Sequence, residues 1–266
     1  MNRRTFLTDV VSTAAAGAVI LSSKAQAMEA IGQVLCPQDE SSWPREELEL
    51  LGLEKPNDLR QDEHLPSLRL RARAYEAFLD MRADAKRQHV EMYPGSCYRT
   101  FGTQRTMWNK RFSVYHQKKF SPQQALDARM GYLAIPGTSR HHWGTDVDIT
   151  GEIRTPEAHT LRARYFVTGG IFEDVAVWLR YNANTFGFYR VYTEKPGRTG
   201  FRSEPWHYSF AESALPSLRR FMEIEVSKYL VCAGVEGSEH LTPEFLDRYK
   251  QTFMLGIHPQ LIPAQN

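Results

Sequence analysis

The stretch Ser139-Arg140-His141-His142-Trp143-Gly144-Thr145-Asp146-Val147-Asp148 sets two histidines, a glycine and two carboxylates within ten residues. Gly144 lets the chain reverse after the histidines, and Thr145 to Ile149 reads as a short strand. Side chains alternate along a strand, so Asp146 and Asp148 share one face while Val147 and Ile149 take the other. Either aspartate can then face a site shared with His141. A second cluster, Glu204-Pro205-Trp206-His207, sets another carboxylate three residues ahead of another histidine. Pro205 argues against a helix through it, so the arrangement differs from the helical pattern in which spacing alone aligns two histidines.

These residue types suit one chemistry. A catalytic zinc needs about three N or O ligands and one open position for water. Two imidazoles and one carboxylate supply the ligands, and a further unligated carboxylate beside the water can act as general base. The remaining histidines, His64, His89, His116, His159, His240 and His258, stand apart from any such cluster and read as ordinary surface or core residues.

Outward from the two clusters, helical and strand patterns mix without a βαβ rhythm, which indicates an α+β fold with a small, mainly antiparallel sheet and packed helices. Leu68 to Arg87 carries apolar residues at helical spacing (Leu70, Ala74, Phe78, Met81). Val90 to Arg99 reads as a strand broken by Pro94-Gly95, Thr103 to Lys118 as a polar helix, and Pro122 to Met130 as a short helix or loop. Leu133 to Ile135 reads as a strand, Phe172 to Tyr181 as a helix, and Phe188 to Tyr192 as a strand after Gly187. Glu204 to Phe210 closes the sheet, and helices are expected over Leu215 to Cys232 and Thr242 to Phe253. Glu29 to Leu65 is polar and punctuated by Pro37, Pro44 and Pro56, with a helical patch at Glu46 to Leu51, and reads as an extension wrapped on the domain.

The first 27 residues read separately. Arg3-Arg4-Thr5-Phe6-Leu7, an apolar run from Val10 to Leu21 and Ala25-Gln26-Ala27 have the layout of an export signal, and the apolar run is too short to span a membrane. Arg-Arg-x-Phe-Leu resembles the twin-arginine signals that carry folded proteins across the bacterial inner membrane. No Leu-x-x-Cys lipidation pattern stands at the cleavage point, so the expectation is a soluble periplasmic protein without a stable membrane anchor after cleavage. The full chain has 33 basic and 31 acidic residues; removing Arg3, Arg4, Lys24 and Asp9 leaves 30 of each, a balance that offers nothing to nucleic acid. Cys36, Cys97 and Cys232 leave one pair plus a free thiol, or three buried thiols, both open.

Ser-x-His-x-x-Gly-x-x-x-Asp followed about sixty residues later by Glu-x-Trp-His resembles the VanY/D-Ala-D-Ala carboxypeptidase family of zinc peptidases, which share a fold with the hedgehog signalling domain. Ser96-Cys97-Tyr98-Arg99-Thr100-Phe101-Gly102-Thr103-Gln104 is similar to the family's Ser-Gly-Tyr-Arg-Ser-x-x-x-Gln stretch. The resemblance runs from Leu68 to Phe210. It implies one zinc per chain held by His141, Asp148 and His207, Glu204 as catalytic base, and Arg99 stabilising the oxyanion or holding the substrate's terminal carboxylate. It also implies Ser139, Gln104, Tyr98 and Trp206 around the substrate, with Trp206 keeping His207 oriented. The layout expected is a signal at 1–27, an extension at 28–67, the catalytic domain at 68–210 and a helical addition at 211–266.

Two positions depart from the family: Asp146 stands where Ala is usual and Cys97 where Gly is usual. Asp146 is either a support for a ligand or a competitor for the metal. Cys97 reads as a packed small side chain, and His142 as a solvent-facing neighbour of the true ligand. The implied activity is removal of the terminal D-Ala from peptidoglycan stem peptides. An LD-carboxypeptidase, an endopeptidase, or a non-catalytic peptidoglycan-binding module on the same scaffold are the alternatives. A penicillin-sensitive serine enzyme is excluded, since neither Ser-x-x-Lys nor Lys-Thr-Gly occurs.

Overall fold

The computed structural model describes residues 43–153, 161–230 and 233–264. The export signal expected at 1–27, Cys36, Cys232 and His159 lie outside the described residues. Helix α1 (Arg45–Leu50) leads to a two-stranded antiparallel pair, β1 (Leu59–Gln61) with β2 (Arg69–Arg71), and then to α2 (Ala72–Arg87). After β3 (Tyr93–Ser96) come α3 (Phe101–Gln117), α4 (Pro122–Arg129), a 3₁₀ turn at Arg140–Trp143 and β4 (Asp146–Thr150). Helix α5 (Glu173–Asn182), β5 (Phe188–Arg190) and β6 (His207–Phe210) complete the central elements, and α6 (Ala211–Glu223), α7 (Ser227–Leu230) and α8 (Pro243–Tyr249) follow. The central sheet is antiparallel throughout, in the order β3-β4-β6-β5. The α+β expectation holds.

Alternation along β4 and β6 divides the sheet into two faces. Val147, Ile149, Tyr208 and Phe210, with Phe188, join the buried residues Phe78 and Met81 of α2 and Trp178 and Leu179 of α5 in one apolar cluster. Each large side chain buried there contributes roughly 1.5–3 kcal/mol. The other face carries Asp146, Asp148, His207 and Ser209, and these are also buried. An antiparallel sheet commonly leaves its polar face in water. Here Tyr192 and Trp143, from a second cluster that includes α3, α6 and α8, stand against that face, so its polar groups must find partners inside the protein.

Several elements differ from expectation, each for a visible reason. Helix α2 begins at Ala72 because residues 69–71 pair with 59–61 as strand. That pairing brings Arg71 onto the functional turn, where its backbone N–H donates to the Gly144 carbonyl (2.8 Å) and its Nε to the Trp143 carbonyl (2.9 Å). Pro94-Gly95 does not break β3; the strand runs through with a register shift between Pro94 and Ser96, which an edge strand tolerates. Leu133–Ile135 is not a strand: the Ala134 carbonyl accepts from the side-chain amide of Gln104 on α3, and the Ile135 carbonyl from the Thr138 hydroxyl. The helix expected to reach Cys232 stops at Glu223, where the buried Lys250 ammonium donates to the carbonyls of Met222 and Ile224, a cation at a helix C-terminus. Lys250 reaches them because α8 gives way to a π-turn over Lys250–Met254.

Gly144 has φ +70, and a Cβ there would meet Leu59 Cδ1 at 3.1 Å. Gly144→Ala should cost at least about 1–2 kcal/mol for the left-handed conformation, read as a lower denaturation midpoint. Unchanged stability would contradict the tight turn.

Candidate metal centre

The pairing of β4 with β6 sets Asp148 opposite His207 and Asp146 opposite Ser209. His141 comes from the 3₁₀ turn, whose exit through Gly144 in the left-handed region returns the chain into β4. One ligand atom each from His141, Asp148 and His207 lie within 4.8 Å of one another, and all three residues are buried. His141 Nε2 is 3.6 Å from Asp148 Oδ2, and His207 Nδ1 is 3.8 Å from Asp148 Oδ1 and 2.9 Å from Glu204 Oε2. His141 Nδ1 lies 2.9 Å from the Cys97 carbonyl, which only accepts, so the proton sits on Nδ1 and the Nε2 lone pair faces Asp148. Asp148 Oδ1 is buried without a hydrogen-bond donor. A donor set of two imidazoles and one carboxylate with an orphaned buried oxygen fits a divalent cation.

The family model for the VanY D-alanyl-D-alanine carboxypeptidases matches residues 67–213. This chain belongs to the VanY family. It is 28% identical over 211 residues to the D-alanyl-D-alanine carboxypeptidase of Enterococcus faecalis, an alignment covering 77% of this chain and 68% of that protein. Among solved structures it is similar to VanYB in complex with D-alanine-D-alanine (25% identity, TM-score 0.44, 71% of this chain and 90% of that one). It is also similar to the LdcB LD-carboxypeptidase (20% identity, TM-score 0.47, 76% and 81%).

In this VanY family member, Arg99 is held beside the cluster by Gln104 and Ser96. Its Nη1 donates to Gln104 Oε1 (2.8 Å) and its Nη2 to Ser96 Oγ (3.1 Å), while Gln104 Nε2 donates to the Ala134 carbonyl. Ser139 is buried at the head of the 3₁₀ turn. Trp206 packs on Phe166 at 5.6 Å between centroids, and the ring set edge-on to His207 is instead Tyr192, at 5.1 Å. Tyr98 is 3% exposed with its hydroxyl on the Glu54 carbonyl and Arg69 over its ring, so the structure gives it to packing against the N-terminal segment. His142 is not solvent-facing. It is fully buried, with Nδ1 donating to the Arg99 carbonyl (2.6 Å) and Nε2 accepting from the Gly137 N–H (3.2 Å). Both its nitrogens are spent on backbone, so it supports the loop that carries Arg99. Cys97 is buried, and burial pushes its thiol up to about 12.

Three contributors carry little or no signal in the sequence. Tyr192 and Ser209 sit on strands or just beyond them with nothing to single them out. Arg140 is a charged residue between two marked positions, and it is almost fully buried with Nε 2.9 Å from Asp146 Oδ2.

The electrostatics separate the groups. Burial, with the Arg99 guanidinium, holds His141 well below the usual imidazole range, and burial takes His142 down to about 4. Burial also disfavours a charge on His207, but acceptance by Asp146 and Glu204 overrides it and raises this imidazole to about 10. Burial raises Asp148 to about 6, with the His207 charge opposing. Without a cation at neutral pH, His207 therefore carries two protons and Asp148 none. A cation taken up at His207 Nδ1 must displace a proton. Between pH 6 and 10, zinc uptake should release about one proton per ion, rising toward two below pH 6 as Asp148 protonates, with affinity falling as pH falls. Calorimetry in buffers of different ionisation enthalpy reads this directly, and uptake without proton release would contradict the assignment.

Proposed function

We propose that this VanY family member is a zinc-dependent carboxypeptidase that hydrolyses the terminal D-Ala of peptidoglycan stem peptides. The observation that supports it is the convergence of His141, Asp148 and His207 with Glu204 Oε2 2.9 Å from the His207 nitrogen that faces the cluster. Zinc supplies, when bound, a Lewis acid that polarises the scissile carbonyl and acidifies water. His207 Nδ1 would hold the ion through its lone pair, and in that state would carry no proton for Glu204 to accept. Glu204, with its side chain 22% exposed, can then take a proton from the attacking water. Water adds to the carbonyl carbon, the C–N bond breaks, and Glu204 passes its proton to the departing amine nitrogen of D-Ala. Water is the sole co-reactant.

Arg99 supplies the cation for the substrate's C-terminal carboxylate. Gln104 and Ser96 take two of its five N–H donors and orient the planar group, leaving the others for a paired contact. Ser139 and Trp206 are kept as substrate-bordering residues, as the family resemblance implies. The reading assigns residues 68–210 to catalysis, 28–67 and 211–266 to flanking additions, and 1–27 to a twin-arginine export signal delivering the enzyme to the periplasm, where its substrate lies. Among the described residues no helix is long and apolar enough to cross a membrane.

Glu204→Ala should keep the metal and lower kcat roughly 10²- to 10⁴-fold. An active Glu204→Ala enzyme, or a metal-free active one, would remove the mechanism. Arg99→Met should act mainly on KM for substrates with a free terminal carboxylate, and a change confined to kcat would reassign it. Defined muropeptides followed by mass spectrometry test the substrate. A stem pentapeptide should lose one alanine while tetrapeptides and cross-linked dimers stay intact; tetrapeptide trimming or dimer cleavage would move the bond, and no cleavage with binding retained would leave only a binding module.

A further inference from the structure

Asp146 lies two residues before Asp148 on β4, on the same face, and is fully buried. Four groups surround its carboxylate. Oδ1 accepts from the hydroxyls of Thr145 and Ser209, each at 2.6 Å. Oδ2 accepts from Arg140 Nε at 2.9 Å and stands 2.9 Å from His207 Nε2. Arg140 is itself buried: its Nη2 donates to Ser209 Oγ (2.7 Å), and its guanidinium lies 4.6 Å from the Trp143 ring centroid. A carboxylate beside a buried guanidinium stays ionised, and an ionised carboxylate only accepts. His207 Nε2 must therefore donate. The ring's other nitrogen, Nδ1, is the one that faces Asp148 and Glu204.

We propose that Asp146 is a positioning residue that fixes His207 in the orientation and tautomer presenting Nδ1 to the metal, with Arg140, Thr145 and Ser209 holding the carboxylate in place. The two ligand histidines are thereby set in opposite tautomers by different devices. His141 gives its Nδ1 proton to a backbone carbonyl and keeps Nε2 for the cluster; His207 gives its Nε2 proton to a carboxylate and keeps Nδ1. A carboxylate partner orients the imidazole and raises its basicity as a ligand, an effect typically worth 10- to 100-fold in metal affinity. The four donors also explain why Asp146 does not compete for the ion: its oxygens are spent on them. Arg140 neutralises the added charge, so the support does not alter the net charge of the centre. The alternative is a purely structural role, in which Asp146 serves only to bury Arg140. That alternative predicts a stability effect and no effect on the metal.

This inference rests on His207 being a metal ligand, so the test begins with zinc uptake by the wild-type chain. Failure there would overturn the metal reading and this inference together; the remaining outcomes concern Asp146 alone. Removing Asp146 by itself would strand a buried guanidinium, so the variants are made with Arg140→Met. R140M/D146N keeps an acceptor oxygen for His207, and R140M/D146A does not. By competition with a chromophoric chelator, R140M/D146A should bind zinc 10- to 100-fold more weakly than R140M/D146N, while the two melt within a few degrees of each other. Equal zinc affinities would overturn the proposal. A second measurement needs no variant to fold: in ¹⁵N-histidine spectra of the zinc-loaded wild type, His207 should show a protonated Nε2 and a metal-bound Nδ1. A protonated Nδ1 with Nε2 on the metal would overturn it.

Discussion

The register of β4 against β6 is the constraint on which the site depends. It places Asp148 directly opposite His207 and Asp146 opposite Ser209, at cross-strand separations that let each pair interact. A slip of β4 by one residue would turn Asp146 and Asp148 into the apolar cluster and bring Val147 and Ile149 to the site. Burial of both faces makes such a slip costly, so the hydrophobic packing of α2 and α5 against one side of the sheet specifies the chemistry on the other.

Burying a polar sheet face carries a desolvation cost that only full pairing offsets. The structure meets it in two ways. Asp146 satisfies both its oxygens, through Arg140, His207, Thr145 and Ser209, although Arg140 Nη1 is left without a partner. Asp148 does not: one of its oxygens is left without a donor, beside two imidazole nitrogens. The contrast between a satisfied aspartate and an unsatisfied one two residues away on the same strand is the observation behind the proposed division into a supporting Asp146 and a ligating Asp148.

Much of this was legible in the amino-acid sequence. The glycine turn, the period-two strand from Thr145 and the proline that bars a helix at Glu204 to His207 are local features, and local features survive folding. Whether Asp146 or Asp148 faces the cluster was open, because both lie on one strand face; the choice depends on what stands across from each, which is a matter of register. The misread elements share that origin. Leu70 joins β2 because a partner strand is available at Leu59–Gln61, and α6 stops at Glu223 because Lys250, distant in sequence, reaches its last carbonyls. His142 read as solvent-facing because nothing nearby in sequence reveals that Arg99 and Gly137 enclose it.

In the proposed centre, the paired strands and the 3₁₀ turn bring His141 Nε2, Asp148 and His207 Nδ1 to one zinc ion. The most direct measurement is an anomalous difference map collected at the zinc edge from crystals of the zinc-loaded protein. One peak is expected within about 2.0–2.2 Å of those three atoms, with Asp146 outside the coordination sphere. A peak bonded to Asp146, to His142 or to His207 Nε2, or no peak at this cluster, would contradict it.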